Sequence, residues 1–404
     1  MTKQIVILGA GYAGLLAAAR LARQTRKLGT HITLINKTDE FVNRIRLHEQ
    51  AVRQPKRTRR LADFLKGTGV EIVIGTVAAL DVPRKQVRVD TAGQTREIGY
   101  DKLVVALGST VAMDILLGAR EHAFALTPNS VTTLRQQLEH GTPNAQRPVL
   151  IVGGGLTGIE AAAEFAEAFP KLHVTLATRD EVGPGLSEPA KAYTRGTLAR
   201  LGVDIREHLA VTQLQDHLAQ TSAGELPFEA CLWAGPFVAP PLARAAGLVV
   251  NSVGQIVVDR YLQSTSNPDV YAVGDAAWLS ESETPVRMAC QSAAPMAAHA
   301  ADNLTATLQG RPQMPFQMSF ASKCISLGRK DGVVDWVHPN DSPKNKIWTG
   351  RRAALLKELI CRVVPFSISN ERRWASTYQV PQKREPVAKP MDNAEPYARN
   401  ARSV

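Results

Sequence analysis

The sequence predicts an α/β protein, two parallel sheets wound with helices, followed by a smaller C-terminal α+β region. Three observations carry this. An apolar run, Ile5-Val6-Ile7-Leu8, leads directly into the turn Gly9-Ala10-Gly11-Tyr12-Ala13-Gly14 and an alanine-rich helical pattern. The same succession returns at Val149-Leu150-Ile151-Val152 and Gly153-Gly154-Gly155-Leu156-Thr157-Gly158. A late strand, Val270-Tyr271-Ala272-Val273, ends in the pair Gly274-Asp275. Strand, G-x-G-x-x-G turn and helix, in that order, make a Rossmann-like dinucleotide-binding unit. Gly9 or Gly153 permits the tight turn, and Gly11 or Gly155 lets the backbone approach a pyrophosphate. Gly14 or Gly158 lets the helix close on its strand, with the helix N-terminus facing the phosphates. One such turn is a weak signal; two predict a protein that holds two dinucleotides and passes electrons between them.

The elements follow in order. Strand Ile5–Leu8, a helix from about Ala13 to Gln24 and strand His31–Ile35 form the first βαβ unit. A further strand at Val70–Ile74 precedes alternating segments at Val77–Asp81 and Gln86–Asp90, which read as a small antiparallel meander. The run Tyr100 to Ser109 is a buried strand closing in a turn at Gly108. The second unit begins at Val149, with a helix from Thr157 to Ala168 stopped by Pro170 and a strand at Val174–Ala177. Another strand ends at Leu232-Trp233-Ala234-Gly235-Pro236, and a helix from about Met296 to Leu308 follows Gly274-Asp275. Past Met314 one strong helical period runs from Ala353 to Val364, and Pro365 is expected to stop it. These boundaries divide the chain into residues 1–115 with 256–312, residues 116–255, a C-terminal region at 313–380, and a tail at 381–404. The tail is polar, basic and proline-bearing, and is expected to be loose.

At 404 residues, 44% hydrophobic and 21% charged, the chain has the composition of a globular protein with two or three domains. Its four cysteines include no Cys-x-x-Cys pair, which excludes a zinc ribbon and a redox disulfide of that spacing and suggests a reducing compartment. No metal site is expected. The first apolar stretch is cut short by glycines, so a signal peptide is not expected, and no run approaches the ~20 apolar residues of a membrane span. The net charge of +11 is uneven: seven Lys and Arg against one Glu from Arg44 to Arg60, and thirteen against six acids from Asp341 onward. Such clusters suit a solvated face, an anionic membrane or an acidic protein. Nucleic acid is not expected, because no recognition motif accompanies the charge.

These motifs in this order resemble the two-dinucleotide flavoproteins, and more closely the type II NADH:quinone oxidoreductases and apoptosis-inducing-factor-like reductases. The resemblance runs from Ile5 to about Leu308 and loosely to Val364. It rests on Gly9 to Gly14, Tyr100 to Ser109, Gly153 to Glu160, Trp233-Ala234-Gly235 and Thr265 to Ala276. It implies that FAD lies on the first turn, with Gly9, Gly11, Tyr12, Ala13, Gly14, Asn36, Lys37, Arg44, Val77, Ala106, Gly108, Gly274 and Asp275 around it. It implies NADH or NADPH on the second, held by Gly153, Gly155, Leu156, Thr157, Gly158, Arg179 and Gly235. Hydride would pass from nicotinamide to flavin N5 and electrons onward to a quinone, the chemistry residing in the cofactors. Glu160, matching the family's glutamate near the nicotinamide–flavin junction, would bind the carboxamide or pass protons; Glu164, four residues on, reads as structural.

The chain departs from that pattern at several places. Asn36 stands where an acid usually binds the adenosine ribose, keeping one acceptor without the charge. Thr178-Arg179 replaces the acid of the second unit; Arg179 either accommodates a 2′-phosphate or faces solvent. Arg44, Arg46 and His48 lie in a segment that the family keeps mostly apolar. An arginine there would stabilise a reduced anionic flavin and His48 would relay a proton, unless the side chains point away. Gln291 keeps one amide of the family's quinone pocket, Cys290 reads as a small buried hydrophobe, and His299 as a packing residue. The basic helix near 353–364 suits a membrane surface, a second subunit in a homodimer, or packing on the protein itself.

The expected function is therefore an FAD-dependent NAD(P)H oxidoreductase with a quinone or quinone-like acceptor, cytoplasmic or on the inner face of the cell membrane. Alternatives are a ferredoxin-type acidic redox partner, a soluble small-molecule acceptor, and a flavin-dependent redox sensor.

Overall fold

The computed structural model describes residues 2–54, 58–140, 147–282, 286–374 and 378. Its largest sheet runs Ala277–Leu279, Ile256–Val258, Gln263–Ser264, Asn267–Ala272, Lys102–Val105, Lys3–Leu8, Thr30–Asn36, Glu71–Ile74. Five of these contacts are parallel, and the two made by Gln263–Ser264 are antiparallel. Residues far apart in sequence therefore share one sheet: Val104 stands between Ile7 on one side and Tyr271 on the other. The strand Ile5–Leu8 reads as a continuous apolar run because both of its faces are covered.

One of those covers is the helix Tyr12–Gln24, in which every residue from Tyr12 to Ala22 is buried. Its alanines face those of the helix Cys290–Leu308, where Ala297, Ala298, Ala300 and Ala301 are also buried. Small side chains on both partners let the axes approach closely. That second helix starts six residues earlier than the sequence suggests, with Pro295 inside it. The proline removes only the donor that would serve the Gln291 carbonyl, a loss close to the helix start.

A second sheet, all parallel, is ordered Asp204–Arg206, Leu172–Ala177, Arg147–Val152, Ala230–Trp233. The helix Leu156–Ala168 covers it with Ile159, Ala162 and Phe165. The expected meander is present and gains a third strand: Thr76–Asp81, Gln86–Thr91 and Gln94–Gly99.

The C-terminal region pairs Ser322–Ser326, Gly332–Val337 and Pro343–Thr349 as an antiparallel sheet under a long helix, Gly350–Glu371. Pro365 does not end that helix, contrary to the sequence expectation. Tertiary contacts outweigh the lost hydrogen bond: Ile368 is fully buried, and the Glu371 carboxylate lies 3.4 Å from Arg20 and 3.6 Å from Arg23 of the first helix. Arg59 also binds the Ser369 hydroxyl at 2.7 Å. The tail at 381–404 lies outside the described residues. Among the described residues no helix is long and apolar enough to cross a membrane.

Candidate functional site

The two glycine turns have nearly the same geometry. Gly9 has φ +94°, and a Cβ there would lie 2.5 Å from the Ala106 carbonyl oxygen; Gly153 has φ +122° and would meet Ala234 O at 2.5 Å. A Cβ on Gly14 would fall 1.7 Å from Gly9 O, and one on Gly158 1.9 Å from Gly153 O. By contrast, Gly11 and Gly155 look into open space. Each is the extended N-cap of its helix, with no capping side chain and no acid in the first turn. Both helix N-termini thus keep free donors and positive dipole ends, as a pyrophosphate requires. The cradles fit the FAD and the nicotinamide nucleotide that the motifs imply.

Around the first turn, most of the expected residues converge. Gly274, at φ +64°, packs against Ala13 and Ala293, which brings Asp275 beside the turn. Ser109 donates to the Asp275 carboxylate at 2.6 Å, and Arg44 donates to the Ser109 carbonyl at 2.5 Å. Burial pushes the Asp275 carboxyl up, opposed by Ser109 and Arg44. Gly108 (φ +70°) sits under the Arg44 guanidinium. Buried Tyr12 donates its hydroxyl to Asn43 at 2.5 Å. Asn36 accepts from Ala10 N at 2.9 Å and donates to Thr38 O at 2.8 Å, so its amide knits the turn to the second strand. Lys37 is exposed beside it, and Val77, the second residue of the meander, stands three residues after Ile74, the register partner of Asn36.

Segment 43–50 is not a strand. It is a 3-10 turn, Arg44–Arg46, followed by a short helix, Leu47–Gln50, so neighbouring cations diverge. Arg44 goes to Ser109, whereas Arg46 grips Glu49 with two 2.9 Å hydrogen bonds and Glu358 with one of 2.7 Å. Arg46 therefore belongs to an ion-pair network away from the first turn.

His48 and Glu160 do come together, and they meet a residue that the sequence did not suggest. Lys357, from the C-terminal helix, lies 2.9 Å from the Glu160 carboxylate. Ser326 N donates to Glu160 at 2.9 Å, and Lys357 also donates to Cys324 O at 3.0 Å. His48 Nδ1 is 3.8 Å from Glu160, and its buried Nε2 has no hydrogen-bond partner among the described residues. Burial alone would raise the Glu160 carboxyl, but the Lys357 ammonium and the hydrogen bond from Ser326 N outweigh it and hold it below the ordinary range. Burial alone would likewise lower the Lys357 ammonium, and Glu160 more than restores it. Burial lowers His48 below 6.5, so the imidazole is neutral. Cys361, beside this group, is pushed up to about 11 by burial and stays a thiol.

Glu160 and Lys357 adjoin an open cavity of about 980 Å³ bounded by segment 43–54, the turn 326–330 and the C-terminal helix. Gln291 does not line it; its side chain accepts from Arg287 at 3.3 Å. Glu164, fully buried, is held by Arg53 and Arg329, and His299 bonds Met314 O at 2.6 Å against Phe316; both are structural. In the second cradle, Thr178 is buried against Gly154 and Arg179 is half-buried. Gly235 lies on the Trp233 ring, where a Cβ would come within 2.1 Å, so that glycine serves the packing of the tryptophan. Ser109 had a local signal, standing next to the Gly108 turn; Lys357 had none, since its partner Glu160 lies on a helix nearly 200 residues earlier in the chain.

The pyridine nucleotide-disulphide oxidoreductase family matches residues 3–303. An NADH dehydrogenase-like protein of Mycobacterium tuberculosis is 30% identical over 360 residues, 82% of this chain and 87% of that protein. Demethylphylloquinone reductase of Synechocystis is 26% identical over 348 residues, covering 82% and 86%. The sulfide:quinone oxidoreductase structure from Aquifex aeolicus superposes with a TM-score of 0.77 at 18% identity, covering 92% of each chain.

Proposed function

Because the chain belongs to the pyridine nucleotide-disulphide oxidoreductase family, we propose that it is an FAD-dependent NAD(P)H oxidoreductase that reduces a quinone or quinone-like acceptor. The single observation that carries this reading is the repeated glycine cradle, two uncapped helix N-termini set in two parallel sheets. Relatives named as an NADH dehydrogenase-like protein and a demethylphylloquinone reductase support it. All four cysteines are free thiols, so electrons leave through the flavin rather than through a disulfide. FAD supplies hydride acceptance and release to the acceptor when bound.

The chain's own residues do the rest. Gly9, Gly11, Tyr12, Ala13, Gly14, Asn36, Lys37, Val77, Ala106, Gly108, Gly274 and Asp275 hold FAD, with Arg44 steadying Ser109 and Asp275 at its edge. Gly153, Gly155, Leu156, Thr157 and Gly158 hold the nicotinamide nucleotide, and Arg179 favours the 2′-phosphate of NADPH. Lys357 Nζ, on the wall of the cavity, donates a hydrogen bond to an acceptor oxygen and stabilises the negative charge that develops there, and Glu160 keeps that ammonium charged. Neutral His48 adjoins Glu160 and relays a proton, taking one up on one ring nitrogen and releasing one from the other. Domain limits at 1–115 with 256–312, 116–255 and 313–380 are supported by the membership of the eight-stranded, four-stranded and C-terminal three-stranded sheets.

A peripheral membrane position accompanies this reading. Leu355, Leu359, Val363 and Phe366 form one row on the C-terminal helix and are 69, 56, 44 and 65% exposed, flanked by Arg351, Arg352 and Arg362. Co-sedimentation with anionic vesicles, lost in Leu359→Glu, checks it. The central experiment is anaerobic reduction of the purified yellow protein by NADH and by NADPH, then reoxidation with quinone, ferredoxin or oxygen. Fast reduction and fast reoxidation by quinone are expected. A protein with no flavin spectrum, or one that quinone leaves reduced, refutes the reading.

A further inference from the structure

The cavity beside Lys357 has an unusual wall for a site that takes an uncharged ring. Seven cations line it: Arg46, Arg53, Arg329, Lys330, Arg351, Lys357 and Arg362. Five have carboxylate partners. Arg46 and Arg329 share Glu49; Arg46 and Arg362 share Glu358; Arg53 and Arg329 share Glu164; and Lys357 has Glu160. Glu167 also pairs with Arg53. The seven cations thus meet five carboxylates, a surplus of two. That surplus has an address: Lys330 and Arg351 are exposed, line the cavity, and have no ion pair among the described residues.

The cations are graded from mouth to floor. Lys330 and Arg351 stand in solvent, and Arg362 is 75% exposed. Lys357 is 18% exposed and Cys361 is buried, with Asn43, the hydrogen-bond partner of Tyr12 in the first cradle, beside them. A molecule entering from solvent meets uncompensated positive charge first and compensated charge last. Low-dielectric walls focus such a field into the cleft.

Building on the oxidoreductase reading above, we propose that the electron acceptor is a small molecule bearing its own negative charge. A carboxylate, sulfonate or phosphate group seats between Lys330 and Arg351 at the mouth, and the redox-active ring lies inward toward Lys357 and Asn43. Concavity favours a small acceptor over an acidic protein. About 980 Å³ is at the upper end of the range for small-molecule sites, and Lys357 on its wall is only 18% exposed. The reaction balances as an ordinary two-electron reduction. The quinone gains two electrons and one proton from the reduced flavin and a second proton from solvent, Lys357 stays an ammonium throughout, and the anionic substituent is unchanged.

The test compares 1,4-naphthoquinone-2-sulfonate with uncharged 1,4-naphthoquinone, without lipid, in the wild type and in the double variant Lys330→Glu/Arg351→Glu. The variant is expected to raise KM for the sulfonate about 10-fold at low salt and to leave KM for the uncharged quinone within about 2-fold, the gap closing as ionic strength rises. Calorimetric binding of redox-inactive naphthalene-2-sulfonate should weaken in parallel, a readout that does not depend on turnover. Flavin reduction by NADH should be unaltered, as neither residue belongs to a glycine cradle, and Lys330→Ala/Arg351→Ala guards against a folding defect. Equal KM changes for both quinones, or none, overturn the proposal. So does an effect seen only with anionic vesicles, which would assign the two cations to lipid phosphate, or only with an acidic ferredoxin, which would assign them to a protein. If neither quinone reoxidises the flavin, the oxidoreductase reading itself fails instead.

Discussion

The first glycine turn and the second make matching close approaches, 2.5 Å in each at the first glycine and 1.7 against 1.9 Å at the third, while the surroundings diverge. Gly9 and Gly153 both stand 2.5 Å, at Cβ, from a carbonyl of the next strand over. Tyr12 and Ala13, just after the open glycine of the first turn, are buried; their counterparts Leu156 and Thr157 are only half-buried. The first cradle is closed by Gly274-Asp275, Ser109 and Arg44, brought in from three other segments. The second position of the turn differs as well. Ala10 has room for its methyl and is tied by the Asn36 side chain, whereas Gly154 is required because Thr178 would lie 2.7 Å from a Cβ. The same turn therefore serves a resident nucleotide on one side and an exchanging one on the other. The turn supplies the phosphate donors, and the walls set the residence time.

The largest effect that would break this comparison comes from the third glycine of each turn. Gly14→Ala places a methyl 1.7 Å from Gly9 O, and Gly158→Ala one 1.9 Å from Gly153 O. Neither backbone can yield without opening its cradle, at a cost of about 3 kcal/mol in each case. Gly14→Ala is expected to purify without flavin and with a lowered Tm. Gly158→Ala is expected to stay yellow and to need at least about 10-fold more NADH. The flavin-to-protein absorbance ratio and KM for NADH check both. If the two variants lose flavin equally, the division into resident and exchanging cradles is wrong.

Next in size is the ion pair that ties the helix of the second cradle to the C-terminal helix. Glu160→Gln leaves the Lys357 ammonium buried without its carboxylate, and denaturant unfolding is expected to show a loss of about 3 kcal/mol at neutral pH. The sign with pH follows from the two shifts. The folded-state Glu160 carboxyl lies below its ordinary 4.5, so its stabilisation is present above that value and is lost as pH falls through the lower, folded one. Lys357 lies above 10.5 when folded, so its share is present below 10.5 and is lost as pH rises through the folded value. The difference between wild type and variant should accordingly be flat across neutral pH and shrink in acid. A difference that grew in acid would rule out the pair as described.

What could be read in the sequence divides along the same line as the two cradles. A glycine's need is local, a positive φ or a carbonyl too close for a methyl, so both turns and the Gly274 corner were legible. The buried strands were legible because covering both faces leaves an unbroken apolar run, as in Ile5–Leu8 and Val149–Val152. Glu160 could be singled out because it matches the glutamate that the resembled family places near the nicotinamide–flavin junction. Its partner could not, because Lys357 arrives on a helix from the C-terminal region and nothing near it in sequence records the meeting. Pro365 misled for the same reason: its local rule is real, and distant contacts from Arg20, Arg23 and Arg59 overrode it. Arg44 and Arg46 stand two apart in sequence, and the 3-10 turn, which nothing in the sequence announced, sends them to different partners.

A smaller effect would sharpen the second cradle. Arg179 is half-buried at the end of the strand Leu172–Ala177, beside Thr178, where a nucleotide's 2′ substituent would lie. Arg179→Glu is expected to shift the ratio of kcat/KM for NADPH over NADH about 10-fold toward NADH, because a carboxylate repels a 2′-phosphate and accepts from a 2′-hydroxyl. Steady-state rates with the two nucleotides measure it. An unchanged ratio would mean that Arg179 faces solvent.

The smallest expected effect concerns the matching position of the first cradle. Asn36 already spends its oxygen on Ala10 N and its amide nitrogen on Thr38 O. Asn36→Asp keeps the Ala10 contact and strengthens it by charge, while it sets a carboxylate oxygen against the Thr38 carbonyl in place of a donor. The Thr38 contact is exposed, worth about 0.5–1 kcal/mol, and the segment around it is free to turn away. A carboxylate also offers a second oxygen to a ribose hydroxyl, a charge-assisted bond roughly twice the strength of a neutral one. The two changes nearly offset, and FAD should dissociate about 3-fold more slowly. Flavin release followed by fluorescence resolves a difference of that size. Faster release would mean that Asn36 acts in this cradle only as the tie between the turn and its second strand, and that the ribose is held elsewhere.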